Sequence, residues 1–269
     1  MKFNKKGYKV FLDKIAVLFI FFMSLNFYAQ RDVTYVNEHN ENISKAVFYN
    51  KIKTLPFYGL RYSVDTLVLQ KVKMAYYFGT LTNETKSQLF QLFAKRHQID
   101  TTKALIIHYS DTLKSVKEFP KRNSVVFRDS LDNIIKIKKG PSTSIDFSKI
   151  RNVKKYEYFW SYKSFIKNQK KCIRNHKKYE DLAQVLHFYN QNTGHPDKLD
   201  KLQWYKDYGS VIKKTFIAGD DDFSFIIIHP NGDFYVQNKY LEFYYPYKNL
   251  VKKVDWEIYK SEFLEAIKI

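Results

Sequence analysis

The sequence has one cysteine, eight glycines and six prolines among its 269 residues. A single thiol excludes an internal disulfide, a Cys-x-x-Cys redox pair and a zinc site built from several cysteines. With so few glycines, a glycine-rich loop that binds phosphate is not expected. The chain contains neither a Gly-x-Ser-x-Gly elbow nor a His-Glu-x-x-His pair. The sequence therefore predicts no cofactor and no bound metal.

The formal net charge of +19 is made almost entirely of lysine. Lysine supplies 39 of the cations and arginine only seven, and 45% of the residues are hydrophobic, which is ample for a buried core. Nucleic-acid readers rely on the planar arginine fork, so this composition argues against a nucleic-acid partner. Lysine is enriched together with Asn, Ile, Phe and Tyr. That pattern is typical of a low-GC genome, and it also leaves open an anionic partner.

The first thirty residues have the order of a secretory signal peptide. Five lysines between residues 2 and 14 precede the apolar run Ile15–Met23, and Ala29 stands at the expected cleavage point. The apolar run is shorter than the roughly 20 residues that span a bilayer. Phe27 stands where a small residue is usual, so an uncleaved N-terminal anchor is the alternative. We predict export to the periplasm, the cell surface or the medium, with a mature charge of about +15.

The remaining patterns predict an α/β (α+β) fold with a central mixed sheet and flanking helices. Short β-branched and aromatic runs predict a β-rich region over residues 30–80, and residues 81–269 are predicted to form an α/β domain. A helix from Thr82 to Gln98 lies between the run ending at Phe78 and the strand Ala104–Tyr109, which suggests one parallel pairing.

The later elements follow from turn signals and periodicity. We predict hairpins over Ser124–Ile137 and Phe223–Val236, a long helix over Tyr156–Lys178 with Phe159 on its apolar face, and a short helix from Pro196 to Gly209. Leu182–Tyr189 is either a strand or a further helical turn. Asp255 is predicted to cap a C-terminal helix.

From Lys103 onwards the order of elements resembles the thioredoxin-like fold. The order is strand Ala104–Tyr109, a long helix, the segment Leu182–Tyr189, a short helix, the hairpin Phe223–Val236 and a terminal helix. The Ser124–Ile137 hairpin is an insertion in this order. Where that family carries Cys-x-x-Cys just past the first strand, this chain has Ser110 to Leu113. The resemblance therefore implies the fold without the redox activity.

Two histidines and two aspartates are the candidate catalytic residues. His108 and His229 each end a strand of isoleucines, and Asp111 and Asp233 follow within four residues. If the two strands are neighbours, these groups would meet at one edge of the sheet and could bind a metal or exchange protons. The competing interpretation is that the histidines end strands and the aspartates build turns.

Cys172 is interpreted as a buried structural thiol on the predicted long helix. No pairing with His176, one helical turn further on, is inferred. His176, His187 and His195 are spaced by eleven and eight residues, which matches no metal-binding motif.

Four segments match Asp, then Ser or Thr, then an aliphatic residue or Thr. The pattern resembles the acceptor motif of a bacterial O-glycosylation system and makes four hydroxyls candidate modification sites: Thr66, Thr101, Thr112 and Ser130. Turn chemistry at strand starts would enrich the same pattern.

These observations favour an exported, non-catalytic binding or accessory protein of the bacterial cell envelope, whose partners would be envelope proteins or anionic glycan or lipid. One alternative is a metal-assisted hydrolase using the histidine and aspartate cluster. Another is a binder of anionic polymer or lipid, driven by lysine.

Overall fold

The computed structural model describes residues 32–63, 67–129, 133–140, 155–199, 202–217, 223–238 and 245–268. The strands in chain order are β1 (Asp32–Val36), β2 (Phe57–Ser63), β3 (Leu67–Met74), β4 (Tyr76–Thr80), β5 (Ala104–Leu113), β6 (Ser124–Arg128), β7 (Ile134–Lys139), β8 (Lys155–Phe159), β9 (Ala183–Asn192), β10 (Lys198–Leu199), β11 (Leu202–Lys206), β12 (Phe223–Ile228) and β13 (Asp233–Asn238). The α-helices are α1 (Lys45–Lys51), α2 (Asn83–His97), α3 (Tyr162–His176), α4 (Tyr247–Lys252) and α5 (Trp256–Ala266). The predicted α/β class, with a central mixed sheet and flanking helices, is confirmed.

The central sheet contains seven strands in the order β10-β11-β9-β5-β12-β13-β4. Strand β9 lies parallel to both β5 and β11, whereas β5, β12, β13 and β4 alternate in direction. The apolar run Leu105–Ile107 sits in the middle of this sheet and is fully buried, as its unbroken aliphatic sequence requires.

Helices cover both faces of the central sheet. On one face α2 buries Leu89 and Phe93 against Leu105, Ile107 and their neighbours. On the other face α4 and α5 bury Leu250, Val251, Trp256 and Phe263 in a second core that contains Ile106, Ile227 and Tyr235. Helix α3 lies on this second side, where Ile166 packs with Leu202 and Trp204. None of the described helices has the length and apolar character needed to cross a membrane.

Two smaller sheets complete the described chain. Strands β1, β3 and β2 form one of them, and Phe48 of α1 packs against it with Phe57 and Val72. Strands β7, β6 and β8 form the other, which is inserted between β5 and α3. Strand β4 falls inside the region 30–80 that was predicted as a separate β-rich unit, yet it pairs with β13 of the central sheet.

Several predicted elements are present. Thr82 caps α2 by accepting a hydrogen bond from the Thr85 amide, and Gln98 ends that helix in the left-handed conformation. Both predicted hairpins form, as β6–β7 and β12–β13. The undecided segment Leu182–Tyr189 is a strand, β9.

Other predictions were wrong because pairing partners distant in sequence override the local pattern. The long helix begins at Tyr162 instead of Tyr156, and Phe159 lies in β8, which pairs with β6. The segment predicted as a helix from Pro196 to Gly209 forms β10 and β11 instead, and β11 pairs with β9. Strands β4 and β5 lie three positions apart in the sheet, so they do not form the expected parallel pair.

Two further details differ from expectation. Ser110 to Leu113 continue β5, whereas the thioredoxin-like comparison placed them just past the strand. Asp255 stands at the start of α5, but its side chain makes no capping hydrogen bond there.

Candidate functional site

His108 stands at the centre of a group of rings on the second face of the sheet. It lies on β5, directly opposite His187 of β9 and Phe225 of β12. The imidazoles of His108 and His187 stack with centroids 5.1 Å apart, and the Phe225 ring meets His108 edge-on at 5.3 Å. The His108 ring is therefore held on two sides by neighbouring strands.

Helix α3 brings a thiol and a second imidazole to the same point. Cys172 and His176 are one helical turn apart, so both side chains project from the same side of the helix. The Cys172 Sγ lies 3.0 Å from the His108 Nε2. One donor atom from each of His108, Cys172 and His176 lies within 4.8 Å of the other two. We call these three residues the His/Cys cluster.

A second layer of contacts orients the His/Cys cluster. The Tyr247 hydroxyl of α4 is hydrogen-bonded to the His176 Nδ1, and their rings lie 4.8 Å apart. Gln169 of α3 bonds through its Oε1 to the Nε2 of His187, at 3.0 Å. The Tyr247 contact engages the Nδ1 of His176, so the Nε2 of that ring is free for a ligand when Nδ1 donates to the Tyr247 hydroxyl.

Burial sets the protonation of the His/Cys cluster. Desolvation lowers the pKa of His108 well below its usual value, and the neighbouring His187 and His176 lower it further. Burial, followed by Lys178, lowers the pKa of His176 to about 4. Burial also raises the pKa of the Cys172 thiol to about 12. At neutral pH the imidazoles are therefore neutral and the thiol is protonated, so Cys172 is a poor nucleophile on its own.

The His/Cys cluster opens into a cleft of about 850 Å³. All three of its residues line this cleft, and Phe225 and Tyr247 form apolar parts of its wall. A cleft of this size accommodates a small molecule.

The four residues predicted as a catalytic group do not converge. Strand β12 does lie beside β5, but the two run antiparallel, so Phe225 rather than His229 stands opposite His108. His229 follows the last paired residue, Ile228, and is therefore roughly 13 Å away along the strands. Asp111 binds Lys213, with 2.6 Å between its Oδ1 and the lysine Nζ, and lies outside the His/Cys cluster.

His229 and Asp233 have structural partners at the opposite end of β12. The His229 Nε2 donates to the Leu250 carbonyl at 3.0 Å, and its ring meets Trp256 edge-on at 4.8 Å. Asp233 accepts hydrogen bonds from Thr80 and Asn231 and pairs with Lys253. Of the four predicted residues, only His108 belongs to the His/Cys cluster.

Two of the candidate modification sites fall within the described part of the chain. Thr101 follows α2 and Thr112 lies in β5 opposite Gln191, and both are partly buried. Thr66 and Ser130 lie outside the described residues.

The sequence carries two signals for the His/Cys cluster that a search by linear motif overlooks. Ile107-His108-Tyr109 and Leu186-His187-Phe188 have the same aliphatic, histidine, aromatic order, which fits neighbouring strands in register. Cys172 and His176 have the i, i+4 spacing that places two ligands on one helix face. The two signals meet only in the fold, where α3 crosses over β5 and β9. Comparison of the chain with protein-family models, with curated proteins and with solved structures gives no match.

Proposed function

We propose that the protein is an exported binding protein of the cell envelope whose ligand is a transition-metal ion of the zinc class. The observation that carries this proposal is the convergence of three donor atoms, from His108, Cys172 and His176, within 4.8 Å of one another. One strand, β5, and one helix, α3, hold these side chains, so the arrangement does not depend on a loop.

The donor set favours a particular class of metal. Imidazole nitrogen and thiolate sulfur suit Zn²⁺ and related ions, whereas Mg²⁺ and Ca²⁺ require oxygen ligands. In a tetrahedral zinc site, nitrogen and sulfur ligands lie about 3.3 to 3.7 Å apart. The separations in the His/Cys cluster start at 3.0 Å and do not exceed 4.8 Å, so modest side-chain rotation would bring the atoms to those distances.

The protonation state of the His/Cys cluster supports the same assignment. Neutral imidazoles retain the lone pair that a metal needs, and burial keeps His108 and His176 neutral. The Cys172 thiol, whose pKa is raised to about 12, would lose its proton when the ion binds. The Tyr247 contact with His176 supplies an outer hydrogen bond of the kind that orients imidazoles around metals.

Export is proposed from the N-terminal sequence, which lies outside the described residues. The thioredoxin-like relationship likewise remains a proposal. It is supported by the parallel pair β5 and β9, joined through α3, and by the following hairpin β12–β13 and terminal helix α5. The binding class is preferred to the hydrolase because His229, Asp111 and Asp233 lie apart from the His/Cys cluster.

Titration with Co²⁺, followed by displacement with Zn²⁺, tests the proposal. The purified protein should bind one Co²⁺ and develop the charge-transfer absorption of a thiolate bound to cobalt, and Zn²⁺ should abolish it. Cys172→Ser should remove the charge-transfer band, because the thiolate is its source. His176→Gln should weaken binding by at least about tenfold, in keeping with the loss of one ligand.

His39→Gln is the matched control, because the His39 side chain is 72% exposed and lies away from the His/Cys cluster. It should bind Co²⁺ with unchanged stoichiometry and affinity. Circular dichroism of each variant separates loss of a ligand from loss of the fold. Absence of binding by the folded native protein, or a thiolate band that persists in Cys172→Ser, would refute the proposal.

A further inference from the structure

The cleft over the His/Cys cluster is lined by cations and amides. Lys171, Arg174 and Lys178 contribute positive charge, and Asn168 and Asn175 contribute hydrogen-bonding groups. Among the described residues that line this cleft, none is acidic. The three cations are exposed, and none forms an ion pair with a carboxylate in the described part of the chain. Within the part of the chain that the structure describes, no carboxylate of the cleft lining balances this positive charge.

The three cations and the metal ligands of α3 line the same cleft. Lys171, Arg174 and Lys178 are three and four residues apart, which forms one stripe along the helix and the turn that follows it. Cys172 and His176 lie about 100° or more further round the helix, and Asn168 and Asn175 stand between them and the cationic stripe. All of these side chains line the same cleft, so a group that extends from the His/Cys cluster through the cleft would reach the cationic stripe.

A second cavity shows that this charge imbalance is local. Its volume is about 700 Å³, it lies on the other side of α3, and Arg174 and His176 line it as well. Its lysines are accompanied by Asp100 and Glu180, and Lys103 donates from its Nζ to the Glu180 carbonyl at 2.9 Å. The two cavities differ in charge although they share a helix.

Three protein ligands leave one position of a tetrahedral zinc ion open. The thiolate cancels one of the two metal charges, so the bound ion would add one positive charge to the three of the cationic stripe. Lysine and arginine bind phosphate oxygens through charge-assisted hydrogen bonds, and a phosphate oxygen is also a good ligand for zinc.

We propose that the cleft binds a phosphate group, with one oxygen on the open position of the metal and the others facing Lys171, Arg174 and Lys178. This inference rests on the proposed function, because it places the phosphate on the bound ion. Phe225 and Tyr247 would contact the organic part of a phosphate ester. The phosphate could belong to a soluble ester or to a lipid headgroup, which present the same chemistry.

Calorimetry with inorganic phosphate tests the inference. Protein loaded with one equivalent of Zn²⁺ and freed of excess metal should bind phosphate, and metal-free protein should bind it more weakly. Lys171→Gln/Lys178→Gln should weaken phosphate binding by about tenfold or more while leaving the zinc stoichiometry at one. Lys163→Gln/Lys167→Gln is the matched control. It removes the same charge from exposed positions one and two turns before Lys171 on the same helix, neither of which lines the cleft, and should change the affinity less than about threefold.

The outcomes separate the two proposals. Zinc binding without phosphate binding, equal weakening by both double variants, or acetate binding as tight as phosphate overturns the phosphate inference and leaves the metal site standing. Failure to bind zinc overturns both. Sedimentation with phosphatidylglycerol vesicles distinguishes the sources of the phosphate. Vesicle binding by the native protein that is lost in Lys171→Gln/Lys178→Gln identifies the phosphate as that of a lipid headgroup. Phosphate binding without vesicle binding identifies the ligand as soluble.

Discussion

Asp233 joins three segments of the chain through one carboxylate. It lies at the start of β13, accepts a hydrogen bond from Thr80 of β4 at 2.8 Å, and meets the Lys253 Nζ at 2.5 Å just after α4. Its side chain is only 8% exposed. Burial by itself would raise its pKa, but hydrogen bonds from Lys253, Asn231 and Thr80 outweigh burial and lower the pKa to about 2. The folded state therefore favours the ionised carboxylate.

We expect Asp233→Asn to destabilise the protein at neutral pH and much less in acid. The unfolded-state pKa is 3.8, so the contribution of Asp233 is present above about pH 4 and is lost as the pH falls towards 2. The shift corresponds to about 2 kcal/mol at pH 7. Urea unfolding at pH 7 and pH 3 measures the difference between the native protein and the variant. A difference that is the same at both pH values would contradict the assignment.

The pairing of β4 with β13 depends on a glycine under an aromatic ring. Gly79 stands directly opposite Phe234, and a Cβ built on Gly79 would lie 2.2 Å from the Phe234 Cζ. The ring therefore lies across the backbone of β4. Phe234 also contacts Tyr77 and Phe216 and so belongs to the core on the α2 face.

Gly79→Ala should destabilise the protein by about 1–3 kcal/mol, because the new methyl group displaces the Phe234 ring from a packed core. The double variant Gly79→Ala/Phe234→Leu should lose less than the sum of the two single variants, since the smaller side chain leaves room for the methyl group. Chemical unfolding of the three variants gives the coupling. Strict additivity of the two changes would show that the ring does not restrict Gly79.

Elements whose signals are local could be predicted from the sequence. The β12–β13 hairpin follows from the Pro230-Asn231-Gly232 turn between apolar runs, and α2 follows from Thr82 and its amphipathic spacing. Tyr156–Phe159 and Leu202–Lys206 were wrongly predicted to be helical. Strand β8 forms because it pairs with β6, about 30 residues earlier, and β11 forms because it pairs with β9, about 15 residues earlier. Their own periodicity fits a helix as well as a strand.

The candidate site was only partly predictable for a related reason. His108 could be singled out because a polar side chain ends a run of buried isoleucines. Its true partners depend on strand direction and on the crossover of α3. Antiparallel pairing of β5 with β12 removes His229, and the crossover supplies Cys172 and His176. Neither relationship is encoded within any one segment.

At the level of the whole molecule, part of the large positive charge is concentrated around one cleft. The formal charge of +19 by itself indicates only an excess of lysine. The fold collects Lys171, Arg174 and Lys178 around one cleft, in which the lining described contains no carboxylate. Local arrangement, more than net charge, is therefore what bears on a partner for this protein.

The insertion of β6–β8 between β5 and α3 means that the central sheet is assembled from both halves of the chain. Strands β4 and β5 precede the insertion, and β9, β11, β12 and β13 follow it. A gene divided between Gly140 and Lys155 should therefore produce two fragments that reassemble, because β5 of the first pairs with β9 and β12 of the second. Fragments that separate on gel filtration after co-expression would contradict this. His108 belongs to the first fragment and Cys172 and His176 to the second. Under the proposed function, zinc bound by all three residues would link the two polypeptides and strengthen their association.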